Sequence, residues 1–194
     1  MQSCTSCDLY RNRKNPVCGI GTQRARVMLL SDAPGSHEDE EGKPLLGRNA
    51  ILLLKTMEGS GIDVLNIYFT TAIKCKPKVG RSPRISEIEA CVKHLRSELH
   101  LIRPSVVVPM GSGSTKAISI ITSTTVEYEQ RNIGRVYWIS EFFVVPQYHP
   151  ASVLRNPQLF PKFRSTFDVV SSLLRDLNRE GIEFAISRYC QSLG

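Results

Sequence analysis

The stretch RVMLLSDAPGSHEDEEGKPLLG, residues 26–47, decides the architecture. Its opening residues, Arg26–Asp32, are a short apolar run that ends at Ala-Pro-Gly, as a buried strand does when it opens into a loop. The same pattern recurs further along the chain. Asn66–Ile73 (NIYFTTAI) and Ser105–Met110 (SVVVPM) read as strands from their β-branched and apolar content, and Val136–Ile139 with Phe142–Pro146 reads as a strand pair. Helical patterns fall between them. Asn49–Gly59 carries Ile51, Leu54 and Met57 at helical spacing and stops at Gly59 and Gly61. Ser86 opens a Ser-Glu-Ile-Glu capping box for a helix with Ile88, Cys91, Leu95 and Leu99 on one face. Gly111–Ile121 reads as a short helix, and a long one is expected from Pro161 to Arg179. Strands alternating with helices predict an α/β fold with a parallel sheet wrapped on both faces. Ligands in such folds bind at the carboxyl ends of the strands, so residues 33–47, 74–83 and 147–156 should carry the chemistry.

A chain of 194 residues is expected to form a single domain. Its 41% hydrophobic and 22% charged content excludes a disordered, collagen-like or coiled-coil protein. No apolar run approaches the roughly 18 residues that span a bilayer. The start, Met-Gln-Ser-Cys-Thr-Ser-Cys, has no secretory pattern, so a cytoplasmic location is expected. The net charge is +7 and is clustered. Lys74, Lys76, Lys78, Arg81, Arg84, Lys93, Arg96 and Arg103 face only Glu87, Glu89 and Glu98 over the same stretch, and Arg11–Arg26 has five basic residues and no acid. Clustered positive charge is the footprint of a polyanion binder, most often of nucleic acid; the bland alternative is a merely basic surface.

Cys4 and Cys7 form C-x2-C, and Cys75 and Cys91 form C-x15-C. A zinc ribbon would offer two C-x2-C knuckles, and the second pair does not make one. Thiolates arriving from an N-terminal knuckle, a loop after a strand and a helix suit an iron–sulfur cubane better, with ordinary buried cysteines as the plain alternative. Cys18 and Cys190 fall outside the pattern.

With these cysteines placed, S-D-A-P-G-x2-E-D-x2-G-x-P-L-L-G (Ser31–Gly47), T-x2-K-C-K-P (Thr71–Pro77), Cys91, V-V-V-P-M-G (Val106–Gly111) and Y-H-P-A-S-V-L-R-N-P (Tyr148–Pro157) together resemble the uracil-DNA glycosylase superfamily, in its iron–sulfur-bearing family-four branch. The resemblance runs from Cys4 to about Asp176. It implies a three-layer α/β/α sandwich with a four-stranded, mainly parallel central sheet, and hydrolysis of the bond joining a base to deoxyribose. It also implies a structural 4Fe-4S cluster on Cys4, Cys7, Cys75 and Cys91. His149 matches the histidine that donates a hydrogen bond to a base carbonyl as negative charge builds there. Asp32 is the candidate for holding the attacking water or steadying the cationic sugar. Ala33, Pro34, Gly35, Asp39, Leu45 and Thr71 would meet the flipped-out base. Lys76, Lys78, Arg81 and Arg84 would contact phosphates, and Ser152, Val153, Leu154 and Arg155 the duplex, with Val153 and Leu154 as the wedge. DNA is the expected partner; no small-molecule cofactor, membrane contact or second subunit is expected.

Three positions depart from the family. The usual glycine-glutamate-alanine-proline-glycine reads Ser31-Asp32-Ala33-Pro34-Gly35, which shortens the carboxylate by one methylene. The aromatic that stacks on uracil is Leu45, and the asparagine that reads the uracil edge is Thr71. Base stacking contributes about 1–3 kcal/mol, and an amide carries a donor–acceptor pair that a hydroxyl lacks. These changes, around an intact histidine and cysteine set, predict a monofunctional hydrolytic glycosylase for a bulkier modified pyrimidine, such as glucosylated hydroxymethylcytosine in phage DNA, serving antiviral defence. A conventional uracil-DNA glycosylase of base-excision repair and a non-catalytic sensor of modified DNA are the alternatives.

Overall fold

In the computed structural model, which describes residues 1–78 and 81–190, the apolar runs become the middle of one sheet. Strands β1 (Ile20–Gly21), β2 (Val27–Ser31), β3 (Ile67–Thr71), β4 (Val106–Met110), β5 (Tyr137–Ile139) and β6 (Phe142–Val144) lie in the order β1-β3-β2-β4-β6-β5. The central four, β3-β2-β4-β6, are parallel, and β1 and β5 add antiparallel edges. The expected four-stranded sheet is therefore the centre of a six-stranded one. β1 has two exposed residues and so leaves no apolar signal in the sequence.

β2, β3 and β4 are buried at every position, because helices cover both faces of the sheet. Alternation still decides which face each residue meets. Val27, Leu29, Val106, Val108 and Phe143 pack with Leu53 and Met57 of α2 (Gly47–Gly59), and with Phe163, Phe167, Val170 and Leu173 of α6 (Phe160–Arg179). Met28, Leu30, Val107 and Val144 point the other way, to Ile88, Leu95 and Leu99 of α3 (Ile85–Ile102) and Ala117 and Ile118 of α4 (Ser112–Thr122). This is the three-layer sandwich.

Three short helices were not expected. α1 (Ser36–Glu41, SHEDEE) has no apolar face, and α5 (Pro150–Arg155) has six residues, too few for periodicity; each occupies a segment read as loop. α7 (Ile182–Tyr189) follows α6. The capping box of α3 is also shifted. The helix starts at Ile85, so Glu87 and not Glu89 stands at the third position and takes the backbone N–H of Arg84 at 2.8 Å, while Arg81 holds the same carboxylate from outside. Of the 74–83 segment, residues 79 and 80 lie outside the described residues.

The strand register positions the site. Ser31 pairs with Thr71 on one side and Met110 on the other, so the three strands end level. A bridge from Met110 to Gln147 continues the line to the next motif.

Candidate active site

A cavity of about 510 Å3 opens at these strand ends. Ser31, Asp32, Ala33, Pro34, Gly35, Leu45, Thr71 and His149, from four separated parts of the chain, all border it. His149 is held from three directions. Gln147 is fully buried, accepts the Tyr148 N–H at 2.7 Å and donates to the Phe163 carbonyl at 2.8 Å, which anchors the approach to α5. His149 caps α5, its Nδ1 accepting the Ala151 N–H at 3.1 Å. Its Nε2 lies 2.8 Å from Ser31 Oγ. An Nδ1 that accepts is unprotonated, so the neutral ring carries its proton on Nε2. Burial lowers the His149 pKa from the ordinary 6.5, against the opposing pull of the Asp32 charge.

Asp32 leaves β2 and meets the N-terminus of α4, where Oδ1 accepts the Ser114 N–H at 2.6 Å. Gly111 makes room for it. With φ at +119° and an added Cβ only 2.5 Å from Asp32 Oδ2, this position excludes every side chain. Gly111→Ala should therefore destabilise the fold by about 1–3 kcal/mol in denaturant titration and displace the carboxylate; unchanged stability would contradict this packing.

Thr71 Oγ1 is buried at the cavity's edge and has no hydrogen-bond partner among the described residues. Leu45 holds the left-handed conformation at φ 65°, rare for a bulky side chain. Glu38, which the sequence reading passed over, ties the surrounding loop, accepting the N–H groups of Gly35 at 3.1 Å and Leu46 at 3.2 Å. Phe69 and Tyr128 also border the cavity and were not anticipated. Phe69 reads as core strand, and the 123–130 segment carries no motif. Burial, then the Asp32 charge, push the Tyr128 hydroxyl up to about 12.

Several expected contacts are corrected. Asp39 is buried away from the cavity, accepting the Lys14 N–H at 3.0 Å and facing Lys76 at 3.7 Å, so it fastens the N-terminal segment instead of meeting a base. Val153 is 3% exposed and packs in the core, while Leu154 beside it is 45% exposed; only Leu154 is available as a wedge. Arg81 is in a two-pronged pair with Glu87 at 2.6 and 2.8 Å and is not a free phosphate contact. Lys76, Lys78, Ser152 and Arg155 border the cavity, and Arg84 is exposed beyond it. Lys74, counted with the basic stretch, is buried and paired with Glu98 at 2.6 Å.

On the α3 side, Cys4, Cys7, Cys75 and Cys91 line one small pocket. Positive and N–H groups surround the sulfurs: Arg13 Nη1 donates to Cys75 Sγ at 3.2 Å, the Lys74 N–H to Cys91 Sγ at 3.3 Å, and His94 Nε2 lies 3.4 Å from Cys4 Sγ. Burial raises the pKa of Cys75 and pushes Cys91 up to about 11, the opposite of a nucleophilic cysteine. Among the described residues no three His, Cys, Asp or Glu side chains gather closely enough for a single metal ion. Cys18 and Cys190 lie outside the pocket.

Cavity, histidine and strand order together place one candidate site at the carboxyl edge of an α/β sheet. Residues 18–177 match the uracil DNA glycosylase superfamily, and the chain belongs to it. It is a DNA glycosylase, a hydrolase of N-glycosyl bonds with DNA as its partner. It is 33% identical over 177 residues to a type-4 uracil-DNA glycosylase of Archaeoglobus fulgidus, covering 89% of each chain. A type-4 uracil-DNA glycosylase of Sulfurisphaera tokodaii is 33% identical over 187 residues, 94% of this chain and 85% of the relative. One from Thermotoga maritima is 31% identical over 156 residues, 80% of each. Among the described residues no helix is long and apolar enough to cross a membrane.

Proposed function

We propose that the protein is a monofunctional glycosylase whose preferred substrate is a pyrimidine larger than uracil, such as glucosylated hydroxymethylcytosine in phage DNA, and that it serves antiviral defence. One observation carries this reading. The cavity of about 510 Å3 beside His149 is bordered by Leu45 and by a Thr71 hydroxyl with no hydrogen-bond partner among the described residues, where the family places an aromatic ring and an amide. Without the ring the base loses a stacking partner but gains space, and the lone hydroxyl awaits a polar group on the substrate.

The reaction follows from the residues. The base leaves the stack, with Leu154 filling the gap and Arg155, Lys76, Lys78 and Arg84 on the phosphates. The bond between sugar and base breaks with its electron pair going to the base, and the hydrogen-bond chain at His149 stabilises that charge. Asp32, anchored through Oδ1, keeps Oδ2 to hold the water that attacks the sugar carbon and to steady the positive charge there. Ala33, Pro34 and Gly35 form the wall against the base.

We assign a 4Fe-4S cluster to Cys4, Cys7, Cys75 and Cys91. Four thiols around one pocket, with N–H donors beside the sulfurs of Cys75 and Cys91, support that reading. The cluster would staple the N-terminal segment to β3 and α3 and take no part in bond cleavage. The protein is proposed to act as a single-domain monomer in the cytoplasm.

Uracil excision is the second reading, favoured by the names of the relatives. Duplexes containing uracil, hydroxymethylcytosine or its glucosylated form, assayed for abasic sites, separate the two. Release of the glucosylated base supports the first reading, and efficient release of uracil alone overturns it.

A further inference from the structure

His149 faces a constraint of proton count. Its Nδ1 is occupied as the acceptor of the Ala151 N–H, so the neutral ring has one proton to give, on Nε2. That proton is directed at Ser31 Oγ, 2.8 Å away. A base carbonyl entering the cavity would therefore find the imidazole's one proton already shared with the serine hydroxyl, which borders the same cavity. Ser31 is the last residue of β2, level with Thr71, and borders the cavity with His149. Its oxygen accepts from Nε2, which leaves its own hydroxyl hydrogen without an acceptor among the described residues. The family's motif has a glycine here, with no side chain to stand in this place.

We propose that Ser31 is a catalytic residue: its hydroxyl donates to the carbonyl oxygen of the departing base, and His149 Nε2–H stands behind it as the second member of a relay. The inference rests on the reading of His149 as the group that stabilises the leaving base, and it holds for either pyrimidine considered above. As the bond from sugar to base breaks, its electron pair moves into the base ring and onto the carbonyl oxygen. The Ser31 O–H bond points at that charge, and the Nε2–H donated to Ser31 Oγ makes the hydroxyl a stronger donor. No proton need cross; the base departs as an anion and is protonated by water. The arrangement places the imidazole one hydrogen bond further from the substrate than direct contact would.

The test uses the full-length protein and whichever duplex it cleaves, with uracil-containing and glucosylated hydroxymethylcytosine duplexes as probes. Single-turnover rate and DNA affinity are measured for Ser31→Ala, Ser31→Gly, Ser31→Thr, His149→Ala and the Ser31→Ala/His149→Ala pair. The relay predicts that Ser31→Ala and Ser31→Gly each slow base release by about 10–100-fold with affinity within about 2-fold of wild type, and that Ser31→Thr keeps most of the rate. It also predicts that the double variant is no more than about 3-fold slower than His149→Ala, since the two act as one unit. Wild-type or faster release by Ser31→Gly, with His149→Ala inactive, would overturn the relay and leave the reading of His149 standing. Full activity of His149→Ala would overturn both.

Discussion

Replacing His149 by alanine should lower base release by about 10²–10³-fold while DNA affinity stays within a factor of about 2. The imidazole contributes little to holding the duplex, because its ring nitrogens are committed to Ala151 and Ser31 within the protein. Its contribution comes when charge develops on the leaving base. Rate and affinity should thus separate, and an equal loss of both would mean that the residue supports only the loop. The wild-type pH profile carries the same information. Protonation would put a hydrogen on Nδ1, facing the Ala151 N–H that now donates to it. Burial opposes the charged ring and depresses its pKa, so activity should be level above pH 6.5 and fall below it, with a midpoint lower than the ordinary histidine value. The linkage to stability has the same sign. A depressed histidine favours the fold fully above pH 6.5 and loses that contribution as the unfolded chain takes up its proton on acidification.

On the proposed cluster assignment, Cys4→Ala should remove the iron and the brown colour that the cluster would give, together with a large part of the thermal stability. Cys4 is only half-buried, so deleting its sulfur costs little packing, and a large loss must come from whatever the sulfur binds. The N-terminal segment has further ties of its own. Leu9 and Val17 are buried, and a few hydrogen bonds join the segment to the rest, including the Val17 N–H to the Lys74 carbonyl at 2.7 Å and Lys14 to Asp39. A structural metal group contributes its binding free energy to folding, so the melting temperature should drop steeply. Cys18→Ala, at an exposed thiol outside the pocket, should change neither iron content nor melting temperature. A wild-type protein that is colourless, iron-free and folded would refute the assignment.

The middle of the fold could be read from the sequence because burial on both faces leaves unbroken apolar runs: VMLLS, IYFTT and VVVPM are β2, β3 and β4. What escaped was short or lacked an apolar face, as with the two-residue β1, the charged α1 and the six-residue α5. Three residues singled out by motif order, Asp32, Thr71 and His149, border one cavity. Gln147 leaves no spacing signal, since it holds a backbone carbonyl distant in sequence, and Glu38 stands at capping-box spacing from Gly35 but opens a helix with no apolar face to announce it. Residue type misled where tertiary contacts decide. Arg81 has the charge for phosphate but is held by Glu87. Val153 has the apolarity for a wedge but is on the inward side of α5, and Leu154 takes the outward one. Asp39 lies in the right motif, but the helix α1 turns it toward Lys14 and Lys76.

The choice of base is the centre of the account, and one rate ratio tests it most directly. Single-turnover release from a duplex carrying one glucosylated hydroxymethylcytosine is divided by release from the same duplex carrying one uracil. A cavity bordered by Leu45 and Thr71 predicts a ratio well above one. A ratio far below one, with uracil freed at full speed and the glucosylated base left in the strand, would contradict it.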